Sequence, residues 1–211
     1  GTLNIEECII TTEKNGGKGI YNAKVLNVSG GKIVTEGIGA VGIYNVAKSE
    51  LTVTGGIIEI TGFGSKAIYN NSNVIFEEKS NTNIIPKVIV SGDDSIGIYN
   101  SKEATKCDIK SGEIIVEAEV IENYDLIKNT DEFKSELEKM KPSYGIYNDS
   151  QIDVNIEKAT IKVERLKGVG ILNNSTGSIV LGKDDGELNL ATPVIYAISD
   201  NTTAIINVKA P

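Results

Sequence analysis

Two carboxylates come first among the side chains that could do chemistry. Aligned on the chain's own internal repeat, Asp108 and Asp153 fall on the outward face of the same strand in successive coils, roughly one strand spacing of ~4.8 Å apart. A pair that close could hold a cation, or act as acid and base on a sugar. The structural alternative is that Lys106, Lys110 and Lys158 stand nearby and neutralise both groups. Asp93-Asp94 and Asp184-Asp185 each adjoin a glycine, which reads as turn chemistry, with loose calcium coordination as the second possibility.

Most other mechanisms lose their usual parts. The chain has no histidine and no tryptophan, so the group most used for proton transfer near neutral pH and for zinc is missing. The two cysteines, Cys8 and Cys107, fall about four coils apart, too far for a disulfide, with Cys107 expected in the core and Cys8 at a turn. Neither a metal nor a cofactor is expected. Net charge is −8, and Arg165 is the single arginine among 21 basic residues. Without clustered Lys and Arg the chain would repel nucleic acid. No apolar run approaches the roughly 18 to 20 residues of a membrane span.

The elements that position these groups follow from a repeat. Gly-Ile-Tyr-Asn or its Ala variant starts at 19, 42, 67, 97 and 145, and two worn copies follow, Gly170-Ile171-Leu172-Asn173 and Ala197-Ile198-Ser199-Asp200. After each anchor comes an apolar-x-apolar strand, such as Leu26/Val28, Leu51/Val53 or Val154/Ile156. Glycine corners such as Gly30-Gly31 and Gly55-Gly56 lead into a third strand, among them Ile33/Thr35, Ile58/Ile60 and Leu188/Leu190. Three period-two strands per coil predict an all-β, three-sided, right-handed parallel β-helix of about seven coils. We read 1-211 as one such domain, a piece of a longer protein.

The lead from the third strand to the next anchor is seven residues, except that Val116 and Gly145 stand 29 apart. The insertion, 117-144, is predicted to carry a helix over Asp131 to Met140, capped by Thr130, with Phe133, Leu137 and Met140 on one face. A smaller insertion, Glu77 to Pro86, lengthens another turn.

Side-chain parity then sorts the anchor into columns. With Ile inward, Val41, Ile96 and Val169 should be inward too, two residues before it. Asn22, Asn45, Asn70, Asn100, Asn148 and Asn173 form an inward amide ladder. Tyr21, Tyr44, Tyr69, Tyr99 and Tyr147 form an outward row, either structural, shielding a neighbouring strand face where the anchor glycines leave bare backbone or covered by the inserted helix, or a binding stripe for sugar or peptide.

The chain resembles the pectate-lyase-like class of right-handed β-helix repeats. The wording from Gly42 to Ile58 is similar to repeats of bacterial cell-surface adhesins. That fold carries lyases, hydrolases and adhesins alike. The resemblance implies, for a lyase, an outward acidic calcium cluster with an Arg or Lys base. The outward rows here are Asn27, Thr52, Ile75, Asp108, Asp153, Val180 and Val34, Glu59, Ile89, Ile115, Lys162, Asn189, with Arg165 outside both. The expectation is therefore a non-enzymatic, extracellular module of a bacterial surface, partnered by a protein or glycan of a host or neighbouring cell. The alternative is a carbohydrate-active enzyme using Asp108 and Asp153.

Overall fold

The computed structural model describes residues 1–80, 82–118, 121–182 and 192–208. Its strands stack in parallel into two sheets, with two short helices to one side. One sheet holds the seven anchor strands in chain order: Lys18–Asn22, Val41–Asn45, Lys66–Asn70, Ile96–Asn100, Tyr144–Asn148, Val169–Asn173 and Thr203–Asn207. The other is built on four long strands, Val25–Thr35, Glu50–Ile60, Lys106–Val116 and Val154–Val163.

Each long strand runs through both apolar-x-apolar segments of the repeat and the residues between them. In Val25–Thr35 the buried residues are Leu26 and Val28, then Ile33 and Thr35, so the alternation changes phase in the middle. Gly31 and Gly56 adopt positive φ there, 78° and 82°, a region open to glycine at little strain. In the coil between Glu50–Ile60 and Lys106–Val116 this corner opens. Asn73–Phe76 and Lys87–Val90 are separate strands, and Lys79 and Ile84 bridge across the loop between them.

Inward residues from all these strands meet in one apolar column that includes Leu51, Val53, Ile58, Ile68, Phe76, Ile98, Cys107 and Ile146, each 1% exposed or less. Burying each large aliphatic side chain is worth about 1.5–3 kcal/mol, which makes this column the main stabilising term.

The anchor departs from simple parity. Pairing passes from Val41 to Ile43 and from Lys66 to Ile68 without a partner for Gly42 or Ala67, so the small residue bulges toward the interior. A Cβ on Gly42 would lie 2.7 Å from the Ala67 carbonyl oxygen and 3.2 and 3.4 Å from the Thr35 and Ile58 side chains. Glycine or alanine is required because two successive residues face the core. The residue before them consequently faces outward. Val41, Ile96 and Val169, read as inward from alternation, thus stand on the tyrosine side of the strand, which corrects that reading; they are nevertheless buried there, at 9%, 9% and 4% exposed, outside the main apolar column.

The last coil is a second correction. The strand paired with Val169–Asn173 is Thr203–Asn207, which aligns Ile205 with Ile171 and Asn207 with Asn173. The segment expected to be that anchor, Ala197 to Asp200, instead begins on the last residue of Val194–Ala197, the partner of Thr160 to Val163. Both candidates begin Ala-Ile and stand one seven-residue lead apart, so spacing alone could not separate them. The expected pair Leu188/Leu190, like Asn189 and Asp184-Asp185, lies outside the described residues.

The seven-residue lead is itself a turn with a fixed shape. Gly16, Gly39, Gly64, Asp94, Lys167 and Asn201 occupy one position in it, all with φ between 52° and 65°. Two residues before Gly64, a Cβ on Gly62 would meet the Gly37 carbonyl oxygen at 2.3 Å, whereas nothing lies within 4 Å of one on Gly64. Gly62→Ala should therefore destabilise the fold by about 2 kcal/mol or more through backbone overlap. Gly64→Asn should stay within about 0.5 kcal/mol, because asparagine tolerates this φ and the site is open. Urea unfolding of the two variants checks both.

Candidate functional site

The inner edge of the anchor sheet fixes what the outer edge can present. Asn22, Asn45 and Asn70 each donate from Nδ2 to Oδ1 of the next rung, at 2.8, 3.0 and 2.9 Å. Asn148 and Asn173 continue the series at 3.0 and 2.9 Å, ending on Asn207. A second donor bond from each of Asn22, Asn45 and Asn70 reaches a backbone carbonyl of the next coil, so the ladder pins the turn after the anchor as well. Between Asn100 and Asn148 it breaks. Asn100 Nδ2 is buried without a partner, and the Asn100 side chain stands beside the Cys107 thiol.

A serine column that the repeat also carries was not read from the sequence. Ser65, Ser95 and Ser143, each two residues before an anchor Gly or Ala, donate to the carbonyls of Gly37, Gly62 and Gly92 at 2.8, 2.8 and 2.9 Å. Each Oγ also accepts from a backbone N–H, those of Ala40, Ser65 and Ser95 in turn. The signal was the fixed spacing Ser-x-Gly/Ala in three coils.

Outward, the five anchor tyrosines stack. Ring centroids are 5.7 Å apart for Tyr21 and Tyr44 and 4.9 Å for Tyr44 and Tyr69, with interplanar angles of 6° and 18°. Tyr99 is tilted by 52° from Tyr69, and Tyr147 by 49° from Tyr99. The rings of the first three cover one another's faces and leave edges and hydroxyls toward solvent; Tyr21 alone is fully exposed, at 63%. Lys18 and Lys66, from the outward flanking column, place their ammonium groups 5.2 and 5.6 Å from the Tyr44 and Tyr99 centroids. Burial lowers the Lys66 pKa, with Asp94 opposing it.

On the other flank the turns after each anchor Asn form a polar groove. One cavity of about 380 Å³ is lined by Tyr44, Tyr69, Tyr99, Asn71, Glu103 and Asp149, among others. A second, of about 430 Å³, continues along successive coils past Gln151, Asn174 and Thr176, and shares Lys102 and Asp149 with the first. Asn71 Nδ2 donates to the Tyr44 hydroxyl at 3.4 Å, and the Tyr99 hydroxyl donates to Asp149 at 3.4 Å. These turn residues were missed by sequence reasoning; their only mark is a polar residue directly after the anchor Asn, at Asn71, Ser101, Asp149 and Asn174.

The two carboxylates of the hydrolytic alternative are not brought together. Asp108 pairs in register with Asn155, not Asp153, accepts from Asn155 Nδ2 at 2.8 Å and bridges to Lys106 at 3.0 Å. Asp153 precedes the strand and accepts from the Ser178 backbone N–H at 2.9 Å. Lys110 bridges to Glu77 at 3.0 Å instead. Arg165 is 4% exposed, pairs with Asp93 and donates to the Ser91 carbonyl at 2.7 Å. Among the described residues, no group of three or more Cys, Asp or Glu side chains converges as a metal-ligand set, and no helix is long and apolar enough to cross a membrane.

The insertion folds as expected but docks elsewhere. Helix α1 spans Tyr124–Ile127 and helix α2 spans Asp131–Lys139, the latter capped by Thr130 accepting from the Phe133 N–H at 3.2 Å. Phe133 packs edge-on against Tyr124, not the tyrosine row. Lys167 Nζ caps the far end of α2 through the Glu138 and Met140 carbonyls, and Lys141 bridges to Asp94. These contacts hold the insertion at the corner before the anchor, so the row is not covered by it.

Compared with protein-family models, curated proteins and solved structures, the chain matched none.

Two titrations follow. Burial, with Asp149 close by, pushes the Tyr99 phenol from its ordinary 10.0 up to about 12. The neutral phenol is thus favoured by the fold: its contribution is complete below pH 10 and is lost between pH 10 and about 12, where the unfolded chain ionises first. Absorbance titration should show a late phenolate that Asp149→Asn brings earlier. Burial likewise pushes the Cys107 thiol up to about 12, while Cys8 is exposed. A thiol reagent should label Cys8 in the native protein and Cys107 only on unfolding.

Proposed function

We propose that this chain is a non-enzymatic module of a bacterial cell surface, of the adhesin kind, that presents a binding face to a glycan of a host or neighbouring cell. In this reading the fold is a three-sided, right-handed parallel β-helix. The anchor strands make one side and the two halves of the bent strands make the others; the right hand follows from the general preference of parallel crossovers. Such a rod needs no disulfide to hold its length.

The observation that carries the reading is the tyrosine row with the polar groove beside it. The row offers hydroxyls at the coil spacing, and the groove adds amides and hydroxyls along the same axis, with carboxylates at Glu103 and Asp149. A pyranose unit in an extended glycan is about as long as that ~4.8 Å spacing, whereas an extended peptide advances only ~3.3 Å per residue. Peptide recognition by strand addition also needs a free sheet edge, and each internal anchor strand is paired on both sides. For the hydrolytic alternative, Asp108 and Asp153 are each engaged in structural bonds of their own.

Binding of the purified module to a panel of surface glycans tests this. Tyr69→Ala with Tyr99→Ala should weaken binding about tenfold or more, roughly 1.4 kcal/mol, with the circular dichroism unchanged. Asp108→Asn with Asp153→Asn should leave it intact. Unchanged affinity in a folded tyrosine variant would sink the proposal, as would glycan cleavage that depends on Asp108.

A further inference from the structure

Building on that reading, we infer that the ligand is a glycan whose units carry free amino groups, with Asp149 as the acceptor that selects them and Glu103 beside it. Asp149 stands where the two parts of the groove meet and lines both. The donors it already has are neutral and distant, the Tyr99 hydroxyl at 3.4 Å and Asn174 Nδ2 at 3.3 Å. A carboxylate offers about four acceptor sites, so both oxygens keep room for a donor from the groove.

The charge balance of the lining favours a cationic donor. Glu103 and Asp149 face Lys102, the only cation among the residues lining the two cavities, and Lys102 is exposed. Lys18 and Lys66 belong to the opposite flank, over the Tyr44 and Tyr99 rings. Asp149 also contributes to the raised pKa values of Tyr69, Tyr99 and Tyr147, after burial in each case, so its field reaches three rungs of the row.

A neutral hydroxyl also makes a charge-assisted bond to a carboxylate, but it brings no charge to balance the groove's excess of carboxylate. An ammonium group adds the attraction of its own charge to that bond, which a hydroxyl lacks. The position after the anchor Asn carries a carboxylate in one coil only, with Asn71, Ser101 and Asn174 at the equivalent places. Selection therefore acts at one point on the polymer, while the remaining groups hold its hydroxyls.

The test is calorimetric binding of three β-linked hexasaccharides to the whole chain: glucosamine, N-acetylglucosamine and glucose. The glucosamine oligomer should bind about tenfold tighter than the other two. Asp149→Asn, nearly isosteric, should bring the three within about twofold, and Glu103→Gln should reduce the preference partway. Thermal unfolding of each variant confirms that the fold is kept. Equal binding of the three that is still lost in Tyr69→Ala with Tyr99→Ala would overturn this inference and leave the surface-glycan reading standing. A preference that survives Asp149→Asn would overturn it too. If no glycan binds, both fall.

Discussion

A buried primary amide has two donors and an oxygen with two lone pairs, and in a dry interior each needs a partner. The asparagine column meets that demand by repetition. One Nδ2 hydrogen goes to the identical group above, and in the first three rungs the other goes to a backbone carbonyl of the next coil. This holds only if the coils are in register, because a one-residue slip would turn the amide to the opposite face from its copies and leave it without them. Register in turn aligns the tyrosines, since each stands one residue before its asparagine. The outer face is thereby determined by a constraint on the inner one.

The same dependence explains why so much was legible from the chain. Residues that must match their copies leave a periodic trace, so the parallel stack, the amide ladder, the outward tyrosines and both cysteine environments could be read directly. What failed was local. Alternation predicts that Val41, Ile96 and Val169 point inward; the bulge at Gly42, Gly97 and Gly170 turns them to the tyrosine side, where they are still buried, and a bulge leaves no trace beyond the small residue itself. Asp153 was read into the row, but it stands two residues before Asn155, the residue that occupies that place. In the last coil, Ala197 and Ala204 offered two equivalent starting points, and only pairing with Asn173 decides between them.

The tyrosine row also means something different once its geometry is known. A line of aromatics suggests flat faces on which a sugar ring could lie. Here Tyr21, Tyr44 and Tyr69 present their faces to one another, and Lys18 and Lys66 lie against the Tyr44 and Tyr99 rings. What remains for a ligand is a ridge of hydroxyls above a polar trough. In the proposed reading, recognition through such a surface would rest on hydrogen bonds and charge, from groups in turns whose residues vary from coil to coil.

The insertion leaves the coil it interrupts intact. Ser143 closes the turn onto the Gly92 carbonyl and the Ser95 N–H, and Tyr144–Asn148 pairs with Ile96–Asn100 as the other anchors pair with theirs. The loop's two ends are therefore set by the stack, independently of what lies between them. Lengthening such a loop costs little, about 0.6 kcal/mol per doubling. That corner is a socket: a different cassette could be carried there while the stack and its tyrosine ridge kept their shape.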